Sequence, residues 1–275
     1  MKVIISVDME GISGIVDGSM TGQSKHDYGK GRALMTADVN AAIDGILDVD
    51  PGAEIVVSDA HGGMINIEPE GLNEAAVLVR GTPKPLTQMA GVDGSFNAAM
   101  FVGFHSKKGT MHGILSHTIS GGTIEKITVN GMEVGETAIN AAIAGHFGVP
   151  VCFVAGDKAV TLEAKELNPK IAVAAVKEAV SRTAAKCLHP VKARKLIREN
   201  AAEGLRNLEK MTPFVFDSPM EAVVRFTYAR MADAVEFMPS AERLDGKSIR
   251  FVQDDFVKTF GAIRASIFIA QKVSA

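Results

Sequence analysis

Met1-Lys2-Val3-Ile4-Ile5-Ser6-Val7-Asp8-Met9-Glu10-Gly11 opens the chain, and its reading decides the fold. Val3–Val7 is a short apolar run rich in β-branched residues, the composition of a strand buried on both faces, and it ends on two acids and a glycine. An acid this early interrupts the run too soon for the apolar core of a secretory signal. The pattern recurs at Glu54–Ser58, Ala76–Val79, Ala99–Phe104, Ile124–Val129 and Val151–Ala155, which read as further buried strands. Segments with helical spacing lie between several of them. Arg32–Leu47 places Leu34, Val39, Ala42, Ile43 and Leu47 near one face, and Thr137–His146 stops at Phe147-Gly148-Val149-Pro150. Strand alternating with helix predicts an α/β fold, with a largely parallel, helix-covered sheet over residues 1–155.

Residues 156–275 read as a second, smaller α/β domain. Its helices are expected at Asp157–Leu167, Pro190–Leu208 and Asp254–Ala270, and its strands at Ile171–Val176, Ala222–Thr227 and Ile249–Val252. His189-Pro190 is a helix start, with proline at the first position. Lys192, Arg194, Lys195 and Arg198 follow, but Glu199, Glu203 and Glu209 interleave with them and no aromatic platform accompanies them, so a solvated face or subunit contact is expected. Across the 275 residues, 47% hydrophobic and 22% charged is ordinary globular composition. A net charge of −3 provides no field to gather nucleic acid or anionic lipid. No stretch approaches the ~18–20 apolar residues of a membrane span. The expected partner is a small molecule or short peptide, and the expected compartment the cytoplasm. Cys152, in an apolar run, and Cys187, in a segment read as helical, have no metal-type or redox-type pairing and are expected as reduced core residues.

In an open parallel sheet, ligands bind beyond the carboxyl ends of the strands, where loops converge on a rigid frame. The first strand ends in Asp8-Met9-Glu10, the second in Asp59-Ala60-His61 and the fourth in Phe104-His105. Asp8 and Glu10 are two apart, so on extended chain both carboxylates face one side, where like charges call for a cation. Alone the pair fits a turn or cap equally well; two histidines at matching strand ends turn the reading toward a metal. Mixed His and carboxylate donors suit zinc, with manganese or cobalt as substitutes, in a catalytic rather than a structural site. Ser116-His117 and Gly135-Glu136 supply a third histidine and another acid, the latter also suited to favouring a helix start. His26, His112, His146 and His189 read as loop or helix-end residues. Ser120-Gly121-Gly122-Thr123, an anion cradle or a turn, is the one feature supporting a phosphoesterase instead. Gly29-Lys30-Gly31-Arg32 is a weak support for a non-enzymatic nucleotide-binding protein, lacking a final glycine and a preceding strand.

The ordered strings Ser6-Val7-Asp8-Met9-Glu10-Gly11-Ile12-Ser13-Gly14, Ser58-Asp59-Ala60-His61, Gly103-Phe104-His105, Ser116-His117 and Val134-Gly135-Glu136 closely resemble the bacterial D-aminopeptidase family. The likeness runs on through Val154-Ala155-Gly156-Asp157 and Ser181–Leu188, covering most of the chain. It implies a two-domain α/β protein with two zinc ions per subunit, held by Asp8, Glu10, His61, His105 and Glu136, with Asp8 bridging them. It further implies cleavage of N-terminal D-residues from short peptides or amino-acid amides, and assembly into a homo-oligomer, in the form of a decameric ring. His117 matches the histidine the family assigns as catalytic nucleophile; on physical grounds the role of general acid for the leaving amine is the one favoured. The segment from His105 to His117 is one residue longer than the resemblance suggests and contains His112.

Overall fold

In chain order, the computed structural model, which describes residues 1–273, contains β1 (Lys2–Val7), α1 (Tyr28–Leu47), β2 (Glu54–Asp59), β3 (Ala76–Val79), β4 (Ala98–Phe104), β5 (Ile124–Val129) and β6 (Met132–Glu133). There follow α2 (Glu136–His146), β7 (Val151–Asp157), α3 (Lys158–Leu167), β8 (Ala172–Ser181), β9 (Ala184–Cys187) and α4 (Pro190–Arg206). The last elements are β10 (Met220–Phe226), α5 (Ala229–Val235), β11 (Glu242–Arg243), β12 (Ser248–Gln253) and α6 (Phe256–Gln271).

Seven strands form the main sheet in the order β3-β2-β1-β4-β7-β8-β9, every pairing parallel except the β8–β9 hairpin. β1 is central, as its unbroken burial requires: Val3, Ile4, Ile5 and Val7 are fully buried. Side-chain alternation along it feeds two cores. Val3, Ile5 and Val7 join Met35, Val39 and Ile43 of α1 and Ile197 and Ala201 of α4 on one face. Ile4 joins Phe101, Phe104, Ile139, Ile143 and Phe260 on the other. That second face is covered by α2, α6 and a five-stranded antiparallel sheet in the order β11-β12-β10-β5-β6.

Both sheets draw strands from either side of residue 155, which lies inside β7. After β4 the chain leaves the main sheet, lays down β5 and β6 beside β10, and returns through α2 to β7. Ile124–Val129 was expected in the parallel sheet. Its apolar run specifies burial but not the neighbour, and its partner Ala222–Phe226 lies far along the chain. Cys187 differs from expectation more simply: it ends the edge strand β9 and is exposed, whereas Cys152 is buried. No helix among the described residues is long and apolar enough to cross a membrane.

Candidate metal centre

Because β2, β1 and β4 are adjacent and parallel, their carboxyl ends lie side by side, and the residues just beyond them meet. Two glycines permit the approach. Gly11 donates its N–H to Gly103 O at 2.7 Å, and a Cβ there would stand 1.9 Å from Phe104 O. Gly103 has φ +72°, and its Cβ would meet Asp8 O at 2.2 Å. The loop after β1 thus lies directly on the end of β4. Buried Lys177, from β8, donates to the carbonyls of Glu10, Ile12 and Ile15, while Asp38 of α1 accepts from Ser13 N and Oγ, both at 2.9 Å.

His61 is placed by the turn after β2, where Asp59 accepts from the Asn66 side chain at 2.8 Å and from Ile67 N at 2.8 Å. Glu136 is the first residue of α2. Its carboxylate accepts from Ile119 N at 2.7 Å and from the Gln88 amide, which in turn accepts from Asn140 at 2.7 Å. His117 sits on the long β4–β5 connection. Asp157 holds that connection through Ile114 N at 2.7 Å, and the β8–β9 hairpin holds it through Leu115 N to Arg182 O at 2.9 Å.

All six residues singled out from the sequence come together. His61 Nδ1 lies 3.1 Å from Asp8 Oδ1 and 2.9 Å from Glu10 Oε2; His105 Nε2 lies 3.6 Å from Asp8 Oδ2 and 3.4 Å from Glu136 Oε1. His117 Nε2 is 3.8 Å from Glu136 Oε1, and its ring stacks on His105 at 4.1 Å. Donor atoms of Asp8, Glu10 and His105 lie within 4.8 Å of one another, as do those of His105, His117 and Glu136. His117, expected as a catalytic group, is therefore also placed where it could ligate. His26, His112, His146 and His189 stay outside this cluster.

Each imidazole is anchored on its far side by a carbonyl, which can only accept: His61 Nε2–H donates to Thr21 O at 3.0 Å, His105 Nδ1–H to Ser106 O at 3.0 Å, and His117 Nδ1–H to Leu115 O at 2.9 Å. The other nitrogen of each ring faces the acids, the tautomer a metal ligand needs. Among the inward-facing atoms, His105 Nε2 and Glu10 Oε2 are buried without a well-formed hydrogen bond, the latter despite standing 2.9 Å from His61 Nδ1. Such orphans, within 4 Å of opposite charges, fit a cation between them.

The electrostatics agree. Burial, then the neighbouring Glu10, pushes Asp8 up to about 7. Burial also pushes Glu136 upward, but His105 and then His117 outweigh it and hold it down to about 2. For Glu10, burial is likewise outweighed, chiefly by His61, leaving it well below the usual carboxylate range. Burial would depress His105, but Glu136 and Asp8 carry it up to about 10, and Glu10 and Asp8 raise His61 well above its ordinary value. His117 moves the other way, lowered by burial and by the charge of His105.

A sequence profile for the family described as D-aminopeptidase matches residues 1–265. The D-aminopeptidase of Bacillus subtilis is 35% identical over 275 residues, spanning 100% of this chain and 99% of its own. The chain belongs to the D-aminopeptidase family. The solved structure of the Zn-dependent D-aminopeptidase DppA from Bacillus subtilis, described as a self-compartmentalizing protease, superposes with a TM-score of 0.96 at 34% identity, covering 100% of both chains.

In this D-aminopeptidase family member the cluster opens into a cavity of about 370 Å³, near the small end for ligand sites. Asp8, His61, His117 and Glu136 form one wall, and α6 forms another with Phe260, Arg264 and Phe268. Gln88, Lys177 and Arg264 were not singled out in the sequence. For the last two a signal exists, a charge set in or at the end of an apolar run; Gln88 carries none. Ser120-Gly121-Gly122-Thr123 is a closed turn, with Ser120 Oγ on Thr123 Oγ1 at 2.9 Å and Ile124 N on Ser120 O at 2.9 Å, which removes the support for a phosphate cradle.

Proposed function

We propose that this chain releases an N-terminal D-amino acid from short peptides or amides, using two zinc ions held by Asp8, Glu10, His61, His105 and Glu136. One observation carries the reading: orphaned His105 Nε2 and Glu10 Oε2 are buried among acids and imidazoles whose far sides are tied off by carbonyls. Zinc supplies Lewis acidity toward the scissile carbonyl. The chain's own residues do the rest. Asp8 stands between His61 and His105, at 3.1 and 3.6 Å, the position from which one carboxylate can serve two ions. His117, with Nδ1–H committed to Leu115 O and its pKa lowered, presents a neutral Nε2 toward the cavity, ready to take a proton and return it to the leaving amine. The buried walls limit access of bulk water. Like the self-compartmentalizing relative, the chain forms a homo-oligomer in this reading, a decameric ring in the cytoplasm, and manganese or cobalt can replace zinc.

Metal analysis with a screen of D- and L-alanine amides tests this. Chelated protein is expected to lose turnover and regain it with zinc. Glu136→Ala should lose both metal and activity, and His117→Ala should lose activity while keeping metal. Full turnover by metal-free protein would falsify the reading.

A further inference from the structure

Phe260, Arg264, Phe268 and Gln271 recur at helical spacing along one stripe of α6, and all four line the cavity. Among the described residues, Arg264 is the sole Lys or Arg in that lining. Its guanidinium stacks on the Phe268 ring, 4.6 Å from the centroid, which fixes its plane. Its Nε is buried without a hydrogen-bond partner, and no carboxylate among the described residues forms an ion pair with it. An arginine serving only to stabilise the fold would be expected to satisfy its fork; this one lines the cavity with its Nε unpartnered, and Glu136 across the cavity acts on it through charge alone.

The cavity is therefore polarised. Asp8 and Glu136 stand at the wall formed by the strand ends, and a fixed cation with planar, paired donors stands on the α6 wall. A short peptide running from the ligand cluster toward α6 would bring its far end to the guanidinium. We propose that Arg264 receives the C-terminal carboxylate of the peptide substrate, so that the enzyme prefers short peptides with a free carboxyl end over their C-terminal amides. The fork geometry favours this, because guanidinium and carboxylate match in two parallel hydrogen bonds. Burial lowers the pKa of Arg264 and the charge of Glu136 opposes that, and a guanidinium keeps its proton in proteins, so the charge persists. The assignment rests on the aminopeptidase reading above.

The zinc-loaded protein should be given D-alanyl di- and tripeptides as matched pairs, free acid and C-terminal amide. Wild type is expected to favour the acid about ten- to a hundredfold in kcat/KM for whichever length it cleaves faster. Arg264→Gln should bring that ratio to within about threefold of unity, and Arg264→Lys, which keeps charge but loses the fork, should fall between. Calorimetry with peptide analogues whose scissile amide is reduced to a methylene-amine provides an arm without turnover. The acid analogue should bind more tightly than the amide, and the difference should vanish in Arg264→Gln. If wild type cleaves neither peptide, the aminopeptidase reading fails, and the calorimetric difference still decides the role of Arg264. Equal treatment of acid and amide by wild type, or a preference that survives Arg264→Gln, would overturn the assignment. Should Arg264→Gln not fold, an Arg264→Lys ratio equal to wild type would overturn it, and a reduced ratio would support it.

Discussion

Loading metal into the centre should expel protons from the imidazoles and acids that face one another there. Without metal, His105 sits between Glu136 and Asp8 and is carried up to about 10, and His61, between Asp8 and Glu10, is likewise raised well above its ordinary value. Both are protonated at pH 7. Asp8, pushed up to about 7, is half protonated there, whereas Glu10 and Glu136 are ionised and His117 is neutral. A metal needs all of these as free bases, so complete loading at pH 7 should release about two to three protons, more below pH 7 than above it. Expelling the His105 proton alone costs on the order of 4 kcal/mol at pH 7, at ~1.4 kcal/mol per pKa unit. Apparent affinity should therefore climb two to three orders of magnitude per pH unit through neutrality, as expected of roughly that many displaced protons. Zinc titrations by calorimetry in buffers of different ionisation enthalpy count the protons. Imidazole NMR of the metal-free protein checks the cause, with the His105 ring staying cationic well above pH 7 and the His117 ring neutral there. Release of fewer than about one proton at pH 7 would mean that acids and imidazoles are not opposed as their contacts indicate.

Two substitutions probe the frame behind the ligands. Lys177→Met removes a buried ammonium from the carbonyls of Glu10, Ile12 and Ile15, and at ~1.5–3 kcal/mol per charged hydrogen bond, less the recovered desolvation, it should cost roughly 3 kcal/mol. Thermal melting should fall by about 6–12 °C and zinc content should drop as Glu10 loosens; unchanged melting with full zinc occupancy would contradict the role. Gly11→Ala drives a methyl group to within 1.9 Å of Phe104 O, a backbone atom that cannot rotate aside, so the loop must lift off β4 at about 3 kcal/mol or more. Folded, soluble protein that still binds zinc with wild-type stoichiometry would refute the close-packing account.

The parts of the site carried by short, local signals were legible in the sequence. β1, β2 and β4 announced themselves as short, mostly apolar runs, and the rule that parallel strands present their carboxyl ends together placed Asp8, Glu10, His61 and His105 at one rim. Glu136 and His117 needed the family resemblance, because nothing in their spacing shows that α2 and the β4–β5 connection fold back onto that rim. Sheet membership was illegible for a related reason. Ile124–Val129 has the same composition as a parallel core strand, and only its register with Ala222–Phe226 sends it to the other sheet. The hairpin of β8 and β9 was read partly as helix because Ala184-Ala185-Lys186-Cys187 is rich in helix formers; cross-strand pairing with Lys177–Ser181 overrides that local preference.

Lys177 and Arg264 point to a rule that would have found them. Each is a charge at the end of or inside an apolar run: Lys177 follows Ala172-Val173-Ala174-Ala175-Val176, and Arg264 interrupts Phe260–Ala270. Isolated burial of a cation is too costly to persist without compensation, so such a residue either caps backbone acceptors or faces a ligand. The structure divides the two along that line. Lys177 has three carbonyls and no access to the cavity, whereas Arg264 has an aromatic face, an unpartnered Nε and a place in the cavity wall. Loss of the first should therefore appear in stability and metal retention regardless of substrate, and loss of the second in the choice between substrates with metal content unchanged. A variant of either residue that showed the other's signature would break the distinction between a cation that holds the site together and one that reads what enters it.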